Sequence, residues 1–351
     1  MRLMSKNHSV PDPRLPLLLA WLSPLVSRYG LKLETLAPAS NDASFRRYFR
    51  VLRDSPSRES ASLIVMDAPP PMENVRPFVD IAKLLATSGA SFPKVHEADL
   101  SQGFLLLEDF GGTTYLDVLK AETASALYGE AFDALIKIQT ISQDHVLPPY
   151  DEALLKRELE LYPEWYLGHH KQYAITARDR EIIDTAFRKL IESNLAQPKV
   201  FVHRDYHSRN LMLMPGAANP GILDFQDAVY GPITYDLVSL LRDAYIVWTE
   251  AEVIDHCVRY WEKARAAGLP VATDFSAFYR DFEWMGLQRH LKVLGIFARL
   301  CHRDGKDRYL NDIPLVLNYV VKTASRYRDF GPLLALIERV DAQAVTSGFT
   351  F

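Results

Sequence analysis

The chain has 351 residues, of which 48% are apolar and 24% are charged, a balance that excludes a largely disordered chain and allows two hydrophobic cores. The formal net charge of -4 argues against a general attraction to nucleic acid. The two cysteines, Cys257 and Cys301, exclude a disulfide framework and suit a reducing compartment.

Apolar residues recur at helical spacing from Leu15 to Tyr29, which predicts an amphipathic packing helix. Asp12 is the expected N-cap and Pro13 the expected first helical residue. The stretch lacks the small-residue cleavage site of a secretory signal. No apolar run reaches the roughly 20 residues that a membrane span needs, so we expect a cytoplasmic protein without a membrane partner.

Residues 1–110 are predicted to form an N-terminal lobe in which one helix is inserted into a sheet. Four stretches are typical of strands: LKLETL, FRRYFRVL, SLIVMDA and FLLLEDF. Helical spacing in VRPFVDIAKLLAT predicts the inserted helix. A sheet with one helix indicates an α+β architecture.

Residues 111–351 are predicted to form a mainly helical C-terminal lobe. Helical spacing dominates over about residues 114–142, 151–168, 176–195 and 233–347, and short strands are expected in VFVH, NLMLM and GILD. The paired glycines of FGG at residues 110–112 permit a hinge between the lobes.

The segment VFVHRDYHSRNLMLM, residues 200–214, places several polar side chains between two apolar strands. Burying them without partners would be costly, so the loop is predicted to be functional. His203, Asp205 and Asn210 form the pattern HxDxxxxN, and Asp224 ends a later apolar strand in ILDFQD. Phosphoryl transfer needs a carboxylate that orients and deprotonates a hydroxyl, and hard oxygen ligands for Mg²⁺. Asp205, Asn210 and Asp224 supply these groups.

The motifs HRDYHSRN, ILDFQD and GPITYDLVSLL, in this order, resemble the protein kinase-like fold and, within it, the aminoglycoside phosphotransferase and choline kinase superfamily. The resemblance implies a two-lobed α+β fold whose small antiparallel sheet lobe binds ATP. It implies that Asp205 is the catalytic base, that Asn210 and Asp224 are the Mg²⁺ ligands, and that His203 and Asp236 support the catalytic loop. A charge at a helix N-terminus is the alternative for Asp236.

The nucleotide side departs from the pattern of this superfamily. The turn that should cover the phosphates has no glycine, and we expect the Ser44 hydroxyl and nearby backbone N–H groups to contact phosphate. Met66 stands where the third strand should carry a lysine. We expect Arg46 or Arg47 to take part of its role, unless these arginines only coat a solvated strand face.

Two further expectations concern the same lobe. Glu73 is a candidate for the partner of the superfamily's third-strand lysine, but without that lysine we expect it to open the inserted helix as a first-turn charge. The hinge sequence LLLEDFGG is expected to bind the adenine edge through the backbone of Glu108 to Phe110.

The acceptor is expected to lie against the helical lobe. Residues 270–329 contain ten Lys or Arg and seven Asp or Glu, a positive surplus that points away from polycationic aminoglycosides and from choline. Aromatic, amide and cationic side chains together suit an acidic, hydroxylated ligand, although such residues can merely cover a helix. The candidate acceptor ligands are His207, Trp284, Gln288, Arg289 and Lys292.

The segments NDASFRRYFRV, IVMDAPP and GLQRHLKVLGIFARL, taken with the motifs above, resemble the anomeric N-acetylmuramate/N-acetylglucosamine kinases of Gram-negative peptidoglycan recycling. The resemblance implies transfer from ATP, with Mg²⁺, to the C1 hydroxyl of an amino sugar, which gives an α-1-phosphate. We expect a monomer. Two alternatives stay open: a kinase of the same fold with another acceptor (another sugar, homoserine, an amino alcohol or an aminoglycoside), and a nucleotide-binding pseudokinase that serves as a scaffold.

Overall fold

The computed structural model describes residues 12–41, 45–54, 61–70, 72–214 and 218–347. The chain divides into two compact units. The first comprises the described residues up to Lys83 together with Pro93–Gly111, and the second comprises Leu84–Phe92 and the residues from Gly112 onwards. The predicted α+β class is confirmed, with the main sheet in the first unit and most helices in the second.

An antiparallel sheet forms the centre of the first unit. Its strands are Leu31–Asn41 (β1), Arg47–Arg53 (β2), Ser62–Asp67 (β3), Val95–Asp99 (β4) and Phe104–Glu108 (β5). They are ordered β1-β2-β3-β5-β4. Strand β4 was not expected from the sequence, because its VHEAD sequence is polar and only partly buried at the edge of the sheet.

The N-terminal helix covers one face of this sheet. It consists of Leu15–Leu22 (α1), a 3₁₀ turn at Ser23–Leu25, and Val26–Tyr29 (α2). The predicted single helix starting at Asp12 and Pro13 is wrong, since α1 begins at Leu15 and Pro24, which has no N–H to donate, interrupts it. The unit's core joins helix and sheet through Leu18, Leu22, Leu31, Val51, Leu63, Val65, Phe104 and Leu106. The inserted helix is Arg76–Leu85 (α3).

The second unit contains nine α-helices within the described residues. They are Tyr115–Val118 (α4), Ala121–Thr140 (α5), Glu152–Leu159 (α6), Ala177–Ala196 (α7), Tyr235–Leu241 (α8), Glu250–Ala266 (α9), Phe275–His302 (α10), Ile313–Arg326 (α11) and Gly331–Ser347 (α12). A π-helical segment, Tyr162–His170, follows α6. Short 3₁₀ turns cover Asp307–Asp312 and Arg328–Phe330. No helix in this part of the chain or elsewhere in the described residues is long and apolar enough to cross a membrane.

Four short strands in the second unit frame the polar loop. They are Lys199–Val202 (β6), Leu211–Met212 (β7), Gly221–Ile222 (β8) and Val229–Pro232 (β9). Strand β6 pairs with β9 and β7 pairs with β8, both antiparallel. The loop between β6 and β7 is therefore held at both ends by strand pairing.

Helix α10 is the central helix of the second unit. It has 28 residues, most of them buried, and packs against α7, α8, α11 and the π-helical segment. At Gly295 an added Cβ would lie 2.3 Å from the carbonyl oxygen of Leu161, so only glycine permits this close approach. The burial of α10 includes charged side chains, among them Arg289 and Lys292.

Candidate active site

The HxDxxxxN loop folds tightly through its own backbone. The N–H of His207 donates to the Asp205 carbonyl at 3.0 Å, and the N–H of Asn210 donates to the His207 carbonyl at 2.9 Å. The Asn210 carbonyl in turn accepts from the Leu223 N–H at 2.9 Å, which brings Asp224 alongside the loop. This pairing explains how residues fourteen positions apart come to share one site.

Asp205, Asn210 and Asp224 converge in the second unit. The amide nitrogen of Asn210 donates to the Asp205 carbonyl oxygen at 2.9 Å and lies 3.5 Å from the Asp224 carboxylate. The amide of Gln226 donates to the other Asp224 oxygen at 2.8 Å, which fixes that carboxylate. The Asn210 amide therefore joins the backbone of Asp205 to the Asp224 carboxylate, so the two chain segments that hold the predicted residues are adjacent.

The backbone is in the left-handed region at two positions of this site. Arg204 has φ of 78° and Asp224 has φ of 62°. Residues other than glycine rarely adopt such backbone angles, and these conformations persist only where the surrounding structure enforces them. Both positions adjoin the predicted chemistry, Arg204 by preceding Asp205 and Asp224 as a predicted Mg²⁺ ligand.

Asp236 lies beneath the loop and accepts two of its backbone N–H groups. Its carboxylate is 2.6 Å from the nitrogen of His203 and 2.9 Å from that of Arg204. Burial raises the pKa of Asp236 to about 7 although both hydrogen bonds oppose the rise. These contacts are those of a side chain that supports the loop.

His203 is buried, and its Nδ1 accepts the N–H of Asp205 at 3.3 Å. Burial lowers the pKa of this imidazole to about 4, so it is neutral at physiological pH and can act as an acceptor. Through this contact His203 holds the backbone of Asp205.

The electrostatic surroundings of Asp205 favour its ionised form. Burial alone would raise the pKa of this carboxyl, but His207 and the positive charges of Lys292, Arg289 and Arg204 hold it below its ordinary value. An ionised carboxylate can accept a hydrogen bond from a substrate hydroxyl.

The donor set fits a hard cation. The Asn210 amide nitrogen donates to the Asp205 carbonyl and lies 3.5 Å from the Asp224 carboxylate, so the amide and the carboxylate are adjacent. An amide oxygen and a carboxylate are ligands that Mg²⁺ accepts together with phosphate oxygens and water. The described residues contain no cluster of three His, Cys, Asp or Glu side chains of the kind a zinc site would use.

The predicted nucleotide-side residues lie in the first unit, except that Ser44 falls outside the described residues. Met66 is buried in β3 between Tyr48 of β2 and Leu105 of β5. Arg47 donates to the buried Asp67 at 3.0 Å and also pairs with Asp12, so its guanidinium is held in structural ion pairs.

Arg46 pairs with Glu73, its Nε lying 3.1 Å from that carboxylate. The other Glu73 oxygen accepts the Phe45 N–H at 3.2 Å. The expectation that Glu73 opens the inserted helix is wrong, because α3 begins at Arg76 and Glu73 precedes it. Glu73 instead binds Arg46, which directly precedes strand β2.

In the hinge segment, the N–H of Glu108 donates to the Lys94 carbonyl at 2.9 Å and is therefore used within the sheet. Phe110 follows and is partly buried.

The predicted acceptor residues fall into separate groups. Trp284 is buried against Phe330, with ring centroids 4.7 Å apart, and Gln288 is fully buried with its amide 3.4 Å from the Glu158 carboxylate. Lys292 donates to the same carboxylate at 2.9 Å. Trp284 therefore packs against Phe330 and Gln288 against Glu158, whereas the charges of Lys292 and Arg289 act on Asp205.

His207 and Arg289 remain beside the loop. The His207 ring meets the edge of Tyr245 at 5.6 Å, and its Nδ1 is buried without a hydrogen-bond partner. Arg289 donates to Ser239 at 2.7 Å, while its buried Nε has no partner. Unsatisfied buried donors and acceptors next to Asp205 are suited to a polar ligand.

Sequence reasoning missed three residues that build this site. Asp243 is buried and accepts the Ser208 N–H at 3.0 Å. Its position seven residues after Asp236, a distance of about two helical turns, could have indicated that both acids face the same loop. Arg209, in the loop, lies over the Tyr245 ring at 3.4 Å from its centroid. Glu158 carried no signal, because a glutamate in a helical stretch is usually a surface charge.

Comparisons with known proteins agree with the resemblance to phosphotransferases that the sequence motifs indicated. The model of the phosphotransferase enzyme family (APH) matches residues 35–271. An N-acetylmuramate/N-acetylglucosamine kinase of Pseudomonas putida is 50% identical over 310 residues, which are 88% of this chain and 89% of that protein. A kinase of the same name from Neisseria meningitidis is 49% identical and aligns with 89% of this chain and 93% of its own.

Solved structures agree on the fold. A choline kinase of Streptococcus pneumoniae superposes with a TM-score of 0.61 at 12% identity, covering 88% of this chain and 99% of its own. An ADP-bound aminoglycoside phosphotransferase gives a TM-score of 0.55 at 14% identity, covering 86% and 97%. These likenesses confirm the predicted kinase-like fold. The chain is an enzyme that belongs to the phosphotransferase enzyme family.

Proposed function

We propose that this enzyme transfers the γ-phosphoryl group of ATP to the C1 hydroxyl of N-acetylmuramate and N-acetylglucosamine, giving the α-1-phosphates. The observation that carries the proposal is the Asn210 amide that links the Asp205 backbone to the Asp224 carboxylate, in a chain that is 50% identical to a kinase named for these two sugars. An α-1-phosphate is suited to peptidoglycan recycling in the cytoplasm, where we place the reaction.

In this mechanism Asp205 orients the C1 hydroxyl and takes its proton as the new oxygen–phosphorus bond forms. The bond from the γ-phosphorus to the bridging oxygen breaks, ADP leaves, and Asp205 releases the proton to solvent. Asn210 and Asp224 would hold Mg²⁺, which when bound neutralises charge on the triphosphate. Most of the rate enhancement would come from positioning and electrostatic complementarity.

The nucleotide is proposed to bind the first unit. The backbone around Phe110 is the candidate for the adenine edge, while the Arg46–Glu73 pair is the candidate substitute for a third-strand lysine. Arg47 is not retained for this role, because Asp67 and Asp12 already occupy its guanidinium. The ADP in a solved member of the fold supports nucleotide use.

The acceptor is proposed to lie beside His207 and Arg289, with Arg209 and Tyr245 at its edge. The unpartnered Nε of Arg289 and the exposed Arg209 guanidinium are suited to the lactyl carboxylate of the muramyl sugar. N-acetylglucosamine lacks this carboxylate and would bind through its hydroxyl and acetamido groups.

An acceptor panel tests the proposal. The protein is incubated with ATP and Mg²⁺ and, separately, with each amino sugar, homoserine, choline and an aminoglycoside, and ADP release is followed. We expect release to depend on the amino sugars, and phosphorus NMR of the product to report coupling to the anomeric proton. Turnover with another acceptor alone would favour the first alternative, while nucleotide binding without turnover would favour the scaffold.

A further inference from the structure

Glu158, near the end of α6, lies at the centre of a buried polar network under the catalytic loop. One of its carboxylate oxygens accepts from the Arg204 guanidinium and, at 2.9 Å, from the Lys292 ammonium. The other accepts from the Tyr150 hydroxyl and, at 3.4 Å, from the Gln288 amide. Glu158 is 5% exposed, so this carboxylate is desolvated and depends on its four donors.

The network reaches the loop through the residue whose backbone is strained. Arg204 is in the left-handed region with φ of 78°, which a glycine would adopt at lower cost. Its side chain instead extends to Glu158, and its backbone N–H donates to Asp236 at 2.9 Å. Arg204 is thus fixed at both ends, and Asp205 is the next residue.

The Glu158 carboxylate also holds the ammonium group of Lys292 on helix α10. Lys292 of α10 donates to the Tyr235 hydroxyl at 3.0 Å as well as to Glu158. Tyr235 directly precedes Asp236, which accepts the loop N–H groups. Glu158 therefore joins α6, α8, α10 and the loop, while it lies outside the group of residues that converge on the Mg²⁺ ligands.

We propose that Glu158 is a positioning residue of the phosphotransferase reaction, which holds Arg204 and Lys292 so that the left-handed turn at Arg204 directs the Asp205 carboxylate at the acceptor hydroxyl. The proposal rests on Asp205 acting as the base, but not on which sugar is the acceptor. A displacement of about 1 Å in a reacting group can cost on the order of a hundredfold in rate.

The test compares Glu158→Gln with the unaltered protein, using ADP release with the acceptor that the unaltered protein turns over. We expect kcat to fall about ten- to a hundredfold while KM for ATP and for the acceptor changes less than about threefold. Combination with Asp205→Asn supplies the readout that a general structural defect would not give. Because Glu158 acts through Asp205, the same change should cost less than about twofold in the Asp205→Asn background.

Glu160→Gln is the matched control, since Glu160 lies in the same helical turn but pairs with Arg180 at 2.8 Å on a more exposed face. The kcat of Glu160→Gln should stay within about twofold of that of the unaltered protein. If Glu158→Gln does not fold, Glu158→Asp keeps the charge and withdraws the carboxylate from Arg204, and we expect at least about a fivefold loss of kcat.

An unaltered kcat in any folded Glu158 variant would overturn the proposal, as would an equal loss in both backgrounds. Lack of amino-sugar turnover by the unaltered protein would instead contradict the proposed substrate, and the Glu158 comparison would then use another acceptor of the panel.

Discussion

The backbone conformations of Arg204 and Asp224 are energetically unfavourable. A non-glycine residue at φ of 78° or 62° is disfavoured by roughly 1–3 kcal/mol. Asp236 compensates at Arg204 by accepting its N–H, and Gln226 holds the Asp224 carboxylate at 2.8 Å. The motif predicted which residues meet, but nothing in the sequence predicted the strained backbone, because both positions hold ordinary side chains rather than glycine.

Arg46 is the residue expected to serve the phosphates in place of the missing lysine. Arg46→Met should raise KM for ATP about tenfold, because it removes a cation worth on the order of 1.5 kcal/mol from the charged ligand. Steady-state kinetics with varied ATP measures this.

The matched variant is Arg47→Met, which leaves the buried Asp67 with one fewer partner. It should lower the free energy of unfolding by about 1–3 kcal/mol and change KM for ATP little. An unchanged KM in Arg46→Met would contradict the assignment.

The buried His290 side chain should make the free energy of unfolding depend on pH. It is buried in α10, its Nε2 lies 3.1 Å from the Arg242 carbonyl, and burial lowers its pKa to about 3. The unfolded chain therefore binds the proton more readily, so the stabilisation is complete above about pH 6.5 and is lost as pH falls towards 3. From about pH 7.5 to about pH 5 this histidine alone should cost about 2 kcal/mol.

Urea unfolding at these two pH values measures the loss. His290→Gln cannot gain a proton and keeps a donor for the Arg242 carbonyl, so its loss between the two values should be smaller by about 2 kcal/mol. An equal loss in both proteins would contradict the account.

At the scale of elements, the apolar pattern correctly predicted the buried inner strands. It failed for a polar edge strand and for a helical stretch that contains a proline. The structure confirms strands in SLIVMDA and FLLLEDF, since both are inner strands of the sheet. The edge strand β4 is polar and was missed. The helix predicted over residues 151–168 ends as α6 at Leu159 and continues as a π-helical segment that contains Pro163. Nothing in the sequence indicated that Trp284 and Gln288 are buried, because α10 is buried around most of its circumference and a polar residue in such a helix need not face solvent.

The contact between α10 and the residues after α6 depends on Gly295. In Gly295→Ala the Cβ would meet the Leu161 carbonyl oxygen at 2.3 Å, and the required shift should outweigh the roughly 1 kcal/mol that alanine gains in a helix. We expect a net loss of at least about 1 kcal/mol in urea unfolding.

Gly129 in α5 is the control, since among the described residues no atom beyond its chain neighbours and its own helix backbone lies within 4 Å of its added Cβ. Gly129→Ala should be neutral or stabilising by up to about 1 kcal/mol. The account of close packing fails if both alanine variants behave alike.

At the scale of the whole molecule, composition excluded classes of partner but did not locate the acceptor site. Several cations of residues 270–329 form internal ion pairs, since Arg326 pairs with the buried Glu283, Arg303 pairs with Asp304, and Lys292 pairs with Glu158. The fold and the convergence of Asp205, Asn210 and Asp224 followed from short motifs. Asp243 was missed although it follows Asp236 by only seven residues, and Glu158 was missed because Arg204 and Lys292 are distant from it in sequence.

Nucleotide binding should stabilise the folded protein. A ligand at a hundredfold excess over its Kd contributes about 2.7 kcal/mol, which corresponds to a rise of a few degrees in Tm. ATP with Mg²⁺ should give this rise, and EDTA should remove most of it, because the proposed site would then lack the cation that neutralises charge on the triphosphate. Differential scanning fluorimetry measures the effect, and an equal rise in EDTA would contradict the Asn210–Asp224 metal assignment.

The most direct test of the central claim is the rate of amino-sugar-dependent ADP release in Asp205→Asn. Asparagine keeps the shape of the side chain but cannot take the C1 hydroxyl proton, so kcat should fall by roughly a hundred- to ten-thousandfold while the Kd for ATP with Mg²⁺ stays nearly constant. A variant that turns over the sugar at close to the normal rate would contradict the claim that Asp205 is the base of this phosphotransferase.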